Sequence, residues 1–537
     1  MTDAREHWPP GPGASGNVRV HERTHEKQAS TGRRTTSCDI TLAPQAGLEP
    51  AHPAPEAGAL STELLGLEQG DNCTRGGLPG RGAWAWRCRI LTSVANRIRT
   101  AETGGDVADV AGAPPQRHLL PLTAEVSADG GLRVGGVDLV ALAAEHGTPL
   151  FVYDEAHLRA RCREAVAAWG DGVAYATKAF LCRAMAALAH EEGMCLDVST
   201  GGELAVALAA EVPPERLVMH GNNKSEAELT AALGAGVGRI VVDSFDEVAR
   251  LGRLTDAPTS GPRPKVLVRV TPGVEVHTHE FVRTGQEDSK FGFSVASGAA
   301  AEAVAALELM PGVQLVGVHA HIGSQVFDLG HFFEAAEVLA AFFAPLALDE
   351  LVVGGGLGVA YINGEESPSE AAWAAASREA CARAGVPAAT RVTAEPGRAI
   401  VATAGITLYT VGTVKELPGI RTYVAVDGGM SDNPRPVLYG SGYEAFLPRE
   451  VGAPRPRPAR VVGKHCESGD IVVASARLPE DLAVGDVLAT PVTGAYGYAM
   501  ASNYNKVPRP PVLFVADGRA RVVVRGETVE DLLRLDR

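Results

Sequence analysis

Eight short apolar segments, each followed by a stretch with helical spacing, alternate along the middle of the chain and constrain its fold. They predict strands at 173–177, 195–199, 217–220, 240–243, 266–270, 315–319, 351–353 and 392–394. The intervening stretches, such as "RAMAALAHEEG", are rich in alanine and repeat with a helical period. Strand–helix alternation indicates a parallel sheet, and eight units fit an α/β (β/α)8 TIM-like barrel. An open doubly wound sheet is the alternative.

The pattern changes after Ile400, where β-like segments follow one another across Gly, Asp and Pro turns. Examples are "ITLYTVGTVKEL", "RTYVAVDGG" and "RPPVLFVADGRARVVVRGE". An all-β domain, similar to a β-sandwich or barrel, is therefore predicted for residues 401–537. The strands in residues 116–155 are expected to join that domain, which leaves residues 156–400 for the barrel.

Residues 1–115 differ from the rest in composition, with runs such as "PPGPGASG" and "PAPEAGA" and few periodic apolar segments. This composition is typical of a disordered extension. The next methionine after Met1 is Met185, which lies beyond Lys178. If the extension is untranslated, a shorter form that keeps Lys178 has to start on a non-Met codon, for example near Val107 or Val110.

The charge and cysteine content narrow the class of protein. The formal net charge of −15 disfavours nucleic acid and anionic membranes as partners. No apolar run reaches the roughly 18 residues that span a bilayer, and the N-terminus has no signal pattern. Eight cysteines occur singly, without a CxxC pair, which indicates reduced thiols and a cytoplasmic protein.

Nearly every predicted barrel strand ends in polar residues or glycines, and in a barrel those ends share one rim. They are Lys178, Asp197, Ser199, His220, Asn222, Asp243, Arg269, His319, His321, Ser324, the glycine-rich turn 354–358, Glu395, Gly397 and Arg398. Each alone has an ordinary structural explanation. Their convergence predicts an active site at the rim, and an Asp197–Arg269 ion pair is expected there.

The residue types at this rim suit one cofactor. A desolvated lysine such as Lys178, at the end of "DGVAYATK", is a candidate Schiff-base nucleophile. The glycine turn offers backbone N–H groups to a phosphate, while no GxxxxGK[ST] loop for a nucleoside triphosphate is present. Glu395 could hold a protonated pyridine nitrogen, and His321 could lie flat against a ring. Pyridoxal 5′-phosphate (PLP) is therefore predicted, without a metal.

From about His118 to Arg537 the sequence resembles the diaminopimelate decarboxylases, PLP enzymes with an alanine-racemase-like barrel and a C-terminal β domain. The matching stretches are "YATKAF", "LDVSTGGEL", "HTHEFVRTGQEDSKFGF", "HAHIGSQVFD", "GGGLGVAY", "AEPGRAIV", "VDGGMSDNPRPVLYG", "GKHCESGD" and "GAYGYAMASNYN". The stretches "HTHEFVRTGQEDSKFGF" and "GGMSDNPRPVLYG" favour this family over the related ornithine and arginine decarboxylases.

The resemblance implies roles for individual residues. The catalytic residues would be Lys178, Cys466 and His321. Cofactor contacts would come from Lys178, Asp197, His321, Ser324, Gly355, Gly356, Glu395, Gly397, Arg398 and Tyr496. Substrate contacts would come from Arg398, Arg435, Tyr439, Glu467 and Tyr496. Cys466 and Glu467 would reach across the interface of a homodimer, which makes each active site a composite of two chains.

The implied reaction is decarboxylation of meso-2,6-diaminopimelate to L-lysine and CO2, the last step of lysine biosynthesis. Cys466 is the expected proton donor, with a small buried hydrophobic residue as the alternative. A related decarboxylase of another basic amino acid and a racemase on the same fold are alternative functions, although Glu395 argues against the racemase. A PLP-free regulator is disfavoured because Lys178 and the glycine turn are both kept.

Overall fold

The computed structural model describes residues 112–256, 262–273 and 288–537 of the 537-residue chain. The predicted extension therefore lies outside the described residues except for 112–115. Residues 277–287 of the "HTHEFVRTGQEDSKFGF" stretch lie outside them too.

After a 3-10 turn at Arg117–Leu119, the described part has an antiparallel three-stranded sheet, followed by one helix, one strand and a second helix. These elements are β1 (Glu125–Val126), β2 (Leu132–Val134), β3 (Val137–Asp138), α1 (Leu139–His146), β4 (Leu150–Asp154) and α2 (Glu155–Trp169). Both helices begin at an aspartate, since Asp138 and Asp154 accept hydrogen bonds from backbone N–H groups of the first turn.

The barrel strands follow in chain order, and every neighbouring pair is parallel. They are β5 (Ala174–Ala176), β6 (Cys195–Val198), β7 (Leu217–Met219), β8 (Arg239–Val242), β9 (Lys265–Thr271), β10 (Phe293–Ser294), β11 (Gln314–His319), β12 (Glu350–Val352) and β13 (Arg391–Thr393). The short β10 pairs with β9 beside the eight-strand path. All eight predicted strands are confirmed, with bounds within one or two residues.

Two backbone hydrogen bonds join the first and last strands of this path. Ala174 N–H donates to the carbonyl of Ala394 at 3.0 Å, and Ala176 N–H donates to that of Pro396 at 3.1 Å. The sheet therefore closes on itself, which confirms the predicted barrel and excludes the open doubly wound sheet.

Helices of nine to fifteen residues follow most barrel strands. They are α3 (Arg183–Glu191), α4 (Gly201–Ala209), α5 (Glu226–Ala235), α6 (Phe245–Thr255), α7 (Ala299–Glu308), α8 (Leu329–Phe343) and α9 (Glu370–Arg383), with the short α10 (Arg398–Val401) after β13. Four of them are capped by a hydroxyl that accepts a backbone hydrogen bond, from Thr200, Ser225, Ser244 and Ser369.

The stretch Leu329–Leu346, which includes α8, is long and apolar enough to span a membrane. It is not an uninterrupted apolar run, because His331, Glu334 and Glu337 lie within it. The apolar character has another cause, because Phe332, Ala336, Leu339 and Phe343 pack into the protein core. Amphipathic packing of this kind is ordinary for a helix of a barrel.

The C-terminal part is rich in sheet, as predicted. Its elements are β14 (Gly405–Leu417), β15 (Arg421–Val426), α11 (Arg435–Tyr439), β16 (Arg457–Val462), β17 (Ile471–Leu478), β18 (Val487–Pro491), β19 (Val512–Ala516), β20 (Arg519–Val524) and α12 (Val529–Leu533). The strand order is β17-β16-β15-β14-β4-β19-β20, with β18 also on β14. The strand β4 thus lies between β14 and β19, although it precedes the barrel in sequence.

Candidate active site

Side-chain alternation along the barrel strands explains why polar groups gather at one end. A cluster of buried apolar residues draws one member from each of seven strands: Ala174, Cys195, Val218, Val241, Leu267, Val316 and Val352. In a strand, residues two positions apart face the same side. The residues two positions beyond four of these are Asp197, His220, Asp243 and Arg269, so the sheet face that is apolar at one end is polar at the other.

A cavity of about 390 Å³ lies at this polar end. Among the residues that line it are twelve of the predicted site residues: Lys178, Asp197, His321, Ser324, Gly355, Gly356, Glu395, Gly397, Arg398, Arg435, Tyr439 and Tyr496. The volume is within the usual range for small-molecule sites. Cys466 and Glu467 are not among its lining residues.

Lys178 is exposed to the cavity and lies just beyond β5, in the 3-10 turn Thr177–Ala179 rather than in the strand. The turn is fixed on both sides, since Thr177 Oγ1 donates to the carbonyl of Asp197 at 2.7 Å and Tyr496 N–H donates to that of Ala179 at 2.8 Å. Enclosure by protein lowers the pKa of Lys178, but the charges of Asp197, Tyr496 and Glu395 raise that pKa above its ordinary value. The amine is thus held beside acidic groups at the cavity wall.

Glu395 lies between two imidazoles. Its Oε1 is 2.9 Å from His220 Nε2, and its Oε2 is 2.9 Å from His319 Nε2. Burial would raise the pKa of Glu395, but the two histidines hold it well below its ordinary value. The buried carboxylate is therefore ionised, which suits it to hold a protonated ring nitrogen.

The sequence placed His220 and His319 at the rim but did not pair them with Glu395. The same three side chains put ligand-type atoms within 4.8 Å of one another, close enough for a metal ion. The same arrangement also fits a cationic heterocycle, because Glu395 is ionised, accepts from His319 and lines the cavity that contains Lys178.

His321 presents its ring to the cavity in a fixed orientation, because its Nδ1 accepts a hydrogen bond from Gly355 N–H at 3.0 Å. Enclosure in the barrel, together with the charges of Lys178 and Arg269, lowers the pKa of His321 well below its ordinary value. A neutral ring with Nδ1 as acceptor carries its proton on Nε2. The predicted flat partner for an aromatic cofactor is thus oriented by the glycine turn.

The three glycines at 354–356, at the start of the glycine turn after β12, leave no room for side chains. Gly354 and Gly356 have φ angles of +74° and +116°, and a Cβ on Gly355 would lie 2.4 Å from the carbonyl oxygen of Glu395. Within the described residues, the N–H groups of Gly356 and Gly397 donate no hydrogen bond to the protein. With the Ser324 hydroxyl, they form a set of donors that fits a phosphate group.

The predicted Asp197–Arg269 ion pair is wrong. Arg269 Nη1 lies 3.3 Å from Asp243 Oδ2, while the other oxygen of Asp243 accepts a hydrogen bond from Gly292 N–H at 2.7 Å. The reason is the strand order: Asp243 follows β8, which neighbours β9, whereas Asp197 belongs to β6, two strands further away. Asp197 instead lies 3.7 Å from His220.

Two buried arginines form a second wall of the cavity. Arg398 and Arg435 are 8% and 4% exposed, and neither forms an ion pair with a carboxylate of the described residues. Their partners are tyrosines that the sequence did not single out: Arg398 Nη1 donates to Tyr361 Oη at 2.7 Å, and Arg435 Nη1 donates to Tyr443 Oη at 2.6 Å. A buried guanidinium without a counter-charge is costly, so this wall suits an anionic ligand.

Cys466 and Glu467 lie on the surface of the β-rich part, in the turn between β16 and β17. Asn505 Oδ1 accepts a hydrogen bond from Cys466 N–H at 3.1 Å, which fixes the backbone of the turn. Both residues are exposed, so the small-buried-residue alternative for Cys466 is wrong.

The comparisons with known proteins agree with this site. The family model for the pyridoxal-dependent decarboxylase, pyridoxal binding domain, matches residues 155–402. Diaminopimelate decarboxylase of Mycobacterium bovis is 50% identical over 424 residues, covering 75% of this chain and 94% of that protein. The enzyme of Bacillus subtilis is 46% identical over 436 residues, covering 77% and 97%.

This chain belongs to the diaminopimelate decarboxylase family. Solved structures agree: the diaminopimelate decarboxylase of M. jannaschii aligns with a TM-score of 0.72 at 31% identity, covering 77% of this chain and 98% of that one. The Helicobacter pylori diaminopimelate decarboxylase complexed with L-lysine aligns with a TM-score of 0.67 at 31% identity, covering 74% and 98%.

A diaminopimelate decarboxylase uses PLP, and the residues present fit that cofactor. Lys178 supplies an amine for the aldehyde, Glu395 an ionised carboxylate for the ring nitrogen, and the glycine turn a set of donors for the phosphate.

Proposed function

We propose that the chain decarboxylates meso-2,6-diaminopimelate to L-lysine and CO2, the last step of lysine biosynthesis. The observation that carries the substrate assignment is the pair of buried arginines, Arg398 and Arg435, on the wall of the cavity that also contains Lys178. Relatives named as diaminopimelate decarboxylases support the proposal, as do their structures in complex with L-lysine.

The substrate carries a carboxylate and an ammonium at the end remote from the reacting carbon. The two guanidiniums would bind that carboxylate, since Arg offers paired donors to the two oxygens. Tyr439 and Tyr496 line the same cavity and would contact the substrate too. Ornithine has no carboxylate at its remote end, so it would leave both arginines without a counter-charge.

Residues of this chain would each have a separate role at the cofactor. When bound, PLP supplies an electron sink for the electron pair that CO2 leaves behind. Lys178 would bind the cofactor aldehyde and give it up to the substrate amine. Glu395 would keep the proton on the ring nitrogen, and His321 would hold the ring in one plane. Ser324, Gly356 and Gly397 would anchor the phosphate, with Asp197 beside Lys178.

Cys466 would then return a proton to the carbon that lost CO2, and Glu467 would take the remote ammonium. Neither lines the cavity of its own chain, and both are exposed. We therefore infer a homodimer in which this turn of one chain reaches the cavity of the other. Exposed apolar side chains beside the turn support this, namely Val437 and Leu438 on α11. Val437 lies next to the turn, since its Cγ1 is 3.9 Å from the position that a Cβ on Gly469 would occupy.

A cytoplasmic location completes the proposal. Four of the cysteines in the described part are buried as free thiols: Cys162, Cys182, Cys195 and Cys381. Unpaired cysteines are ordinary in a reducing compartment. The chain would act there without nucleic acid or membrane as a partner.

The test is a panel of amino acids with separate detection of CO2 and of the amine product. We expect CO2 and lysine in equal amounts from meso-diaminopimelate, and much slower release from lysine, ornithine and arginine. Faster turnover of one of those three would favour the related decarboxylases, and inversion of an α-carbon of any of these amino acids without release of CO2 would favour a racemase. A near-visible absorption band of the purified protein distinguishes an enzyme that binds PLP from a PLP-free regulator.

A further inference from the structure

Tyr361 contacts both of the buried arginines in the cavity wall. Its hydroxyl accepts a hydrogen bond from Arg398 Nη1 at 2.7 Å, while the guanidinium carbon of Arg435 lies 4.2 Å from its ring centroid. The ring is 4% exposed and meets the ring of Tyr443 edge-on at 5.2 Å. One side chain thus fixes two cations by two different interactions, a hydrogen bond and a cation–π contact.

The backbone that carries Tyr361 is held by side chains from other segments. Gln325 bonds Val359 twice, donating to its carbonyl at 2.6 Å and accepting from its N–H at 3.3 Å. Glu365 Oε2 accepts from Tyr361 N–H at 2.8 Å. The segment continues directly from the glycine turn 354–358. The position of the ring is therefore set by the same loop that would bind the cofactor phosphate.

The wall needs such support because two like charges lie close to one phenol. Arg435 also donates to Tyr443 Oη, and Arg398 also donates to Ser324 Oγ at 2.9 Å. These partners are neutral, so they orient the guanidiniums without cancelling their charge. The Nε atoms of both arginines are buried without a hydrogen-bond partner in the part of the chain that is described. The positive charges of the two guanidiniums are therefore available to an anionic ligand.

We infer that Tyr361 is a positioning residue that determines specificity: it fixes Arg398 and Arg435 so that both act on one carboxylate at the remote end of the substrate. The inference rests on the proposed function only in that the substrate carries such a carboxylate. A guanidinium fixed before binding loses less conformational freedom when the ligand arrives, so the benefit falls on carboxylate ligands alone.

L-lysine and cadaverine provide the test, because they differ only by that carboxylate. Spectral titration of the PLP-loaded protein gives the dissociation constant of each. In Tyr361→Phe, which removes the hydroxyl but keeps the ring, we expect lysine to bind roughly tenfold more weakly while cadaverine is unchanged. In Tyr361→Leu, which also removes the ring, the loss for lysine is larger. Tyr423→Phe, on β15 beside Arg421, is the control and should match the wild type.

The inference is overturned if Tyr361→Phe weakens the binding of lysine and of cadaverine equally, or if it weakens the binding of neither. Thermal unfolding identifies a misfolded variant, and if Tyr361→Leu does not fold, Tyr361→Phe decides alone. Failure of the proposed function looks different: the wild type itself would bind lysine no better than cadaverine and release no CO2 from diaminopimelate.

Discussion

The imidazole of His319 donates to the carboxylate of Glu395, with 2.9 Å between Nε2 and Oε2, and both side chains are buried. The other ring nitrogen of His319, Nδ1, is buried without a partner in the described residues. A proton there would be unsatisfied, so the ring is neutral and carries its proton on Nε2. Burial also lowers the pKa of His319, which agrees with a neutral ring.

Replacing this donor should weaken cofactor binding. In His319→Leu, Oε2 of Glu395 loses its partner, the pKa of the carboxylate rises, and its attraction for a protonated ring nitrogen falls. We expect PLP to dissociate roughly tenfold more readily, measured by equilibrium dialysis. His331→Leu, on the helix α8, is the control. An unchanged dissociation constant for PLP in His319→Leu would show that His220 suffices to hold Glu395.

Lys178 is predicted to be the only site of covalent PLP attachment. Borohydride reduction followed by peptide mapping should place the pyridoxyl label on Lys178, because this amine reaches the cavity. Lys178→Ala should abolish decarboxylation and leave PLP reversibly bound at best. Lys224 is a poor alternative, since it is buried in an ion pair with Glu247 at 2.9 Å. A label on Lys224, Lys265 or Lys290 would refute the assignment.

Much of this site follows from the sequence. The period of the strands predicts the barrel, and the barrel rule gathers the strand-end residues, among them Lys178 and Glu395, at one rim. The sequence does not predict which residue each charged side chain pairs with. Arg269 pairs with Asp243 because their strands are neighbours, a fact that only the strand order supplies. The two imidazole partners of Glu395, His220 and His319, could be placed at the rim from the sequence, but their convergence on Glu395 across the barrel could not.

The tyrosines of the cavity wall show the same limit. Tyr361 stands in the quoted stretch "GGGLGVAY", yet nothing in its local pattern indicates contact with Arg435, which lies in the β-rich part of the chain. Cys466 and Glu467 illustrate another case, because the role that we propose for them depends on a second chain. A contact between chains leaves no periodic signal in one sequence.

A buried glutamate outside the cavity should make stability depend on pH. Glu370, at the start of α9, accepts from Trp169 Nε1 at 3.1 Å, and burial raises its pKa to about 7 from 4.5. Between pH 4.5 and 7 the folded state keeps a proton that the unfolded state has lost. The free energy of unfolding therefore falls as pH rises through this window, by about 1.4 kcal/mol per pH unit, and levels off above it.

Glu370→Gln should remove this dependence, since glutamine keeps an acceptor for Trp169 and has no proton to lose. At pH 8 the variant should be more stable than the wild type by about 3 kcal/mol, measured by chemical denaturation from pH 5 to 8. Glu379→Gln, on the exposed face of the same helix, should keep the slope of the wild type. Parallel curves for wild type and Glu370→Gln would show that Glu370 is already ionised in the folded protein.

Two inactive variants should restore activity to each other if the active site is shared between chains. Lys178→Ala lacks the amine in its own cavity, while Cys466→Ala lacks the thiol that its turn would present to the partner. If Cys466→Ala alone keeps too much activity, Glu467→Ala is used in its place. Random mixing gives half heterodimers, each with one doubly altered site and one intact site, so activity should return to roughly a quarter of wild type.

Subunit exchange is verified with tagged chains separated by affinity. If the chains exchange and no activity returns, the assignment of Cys466 and Glu467 to the partner's cavity is wrong, and the proton donor lies within one chain.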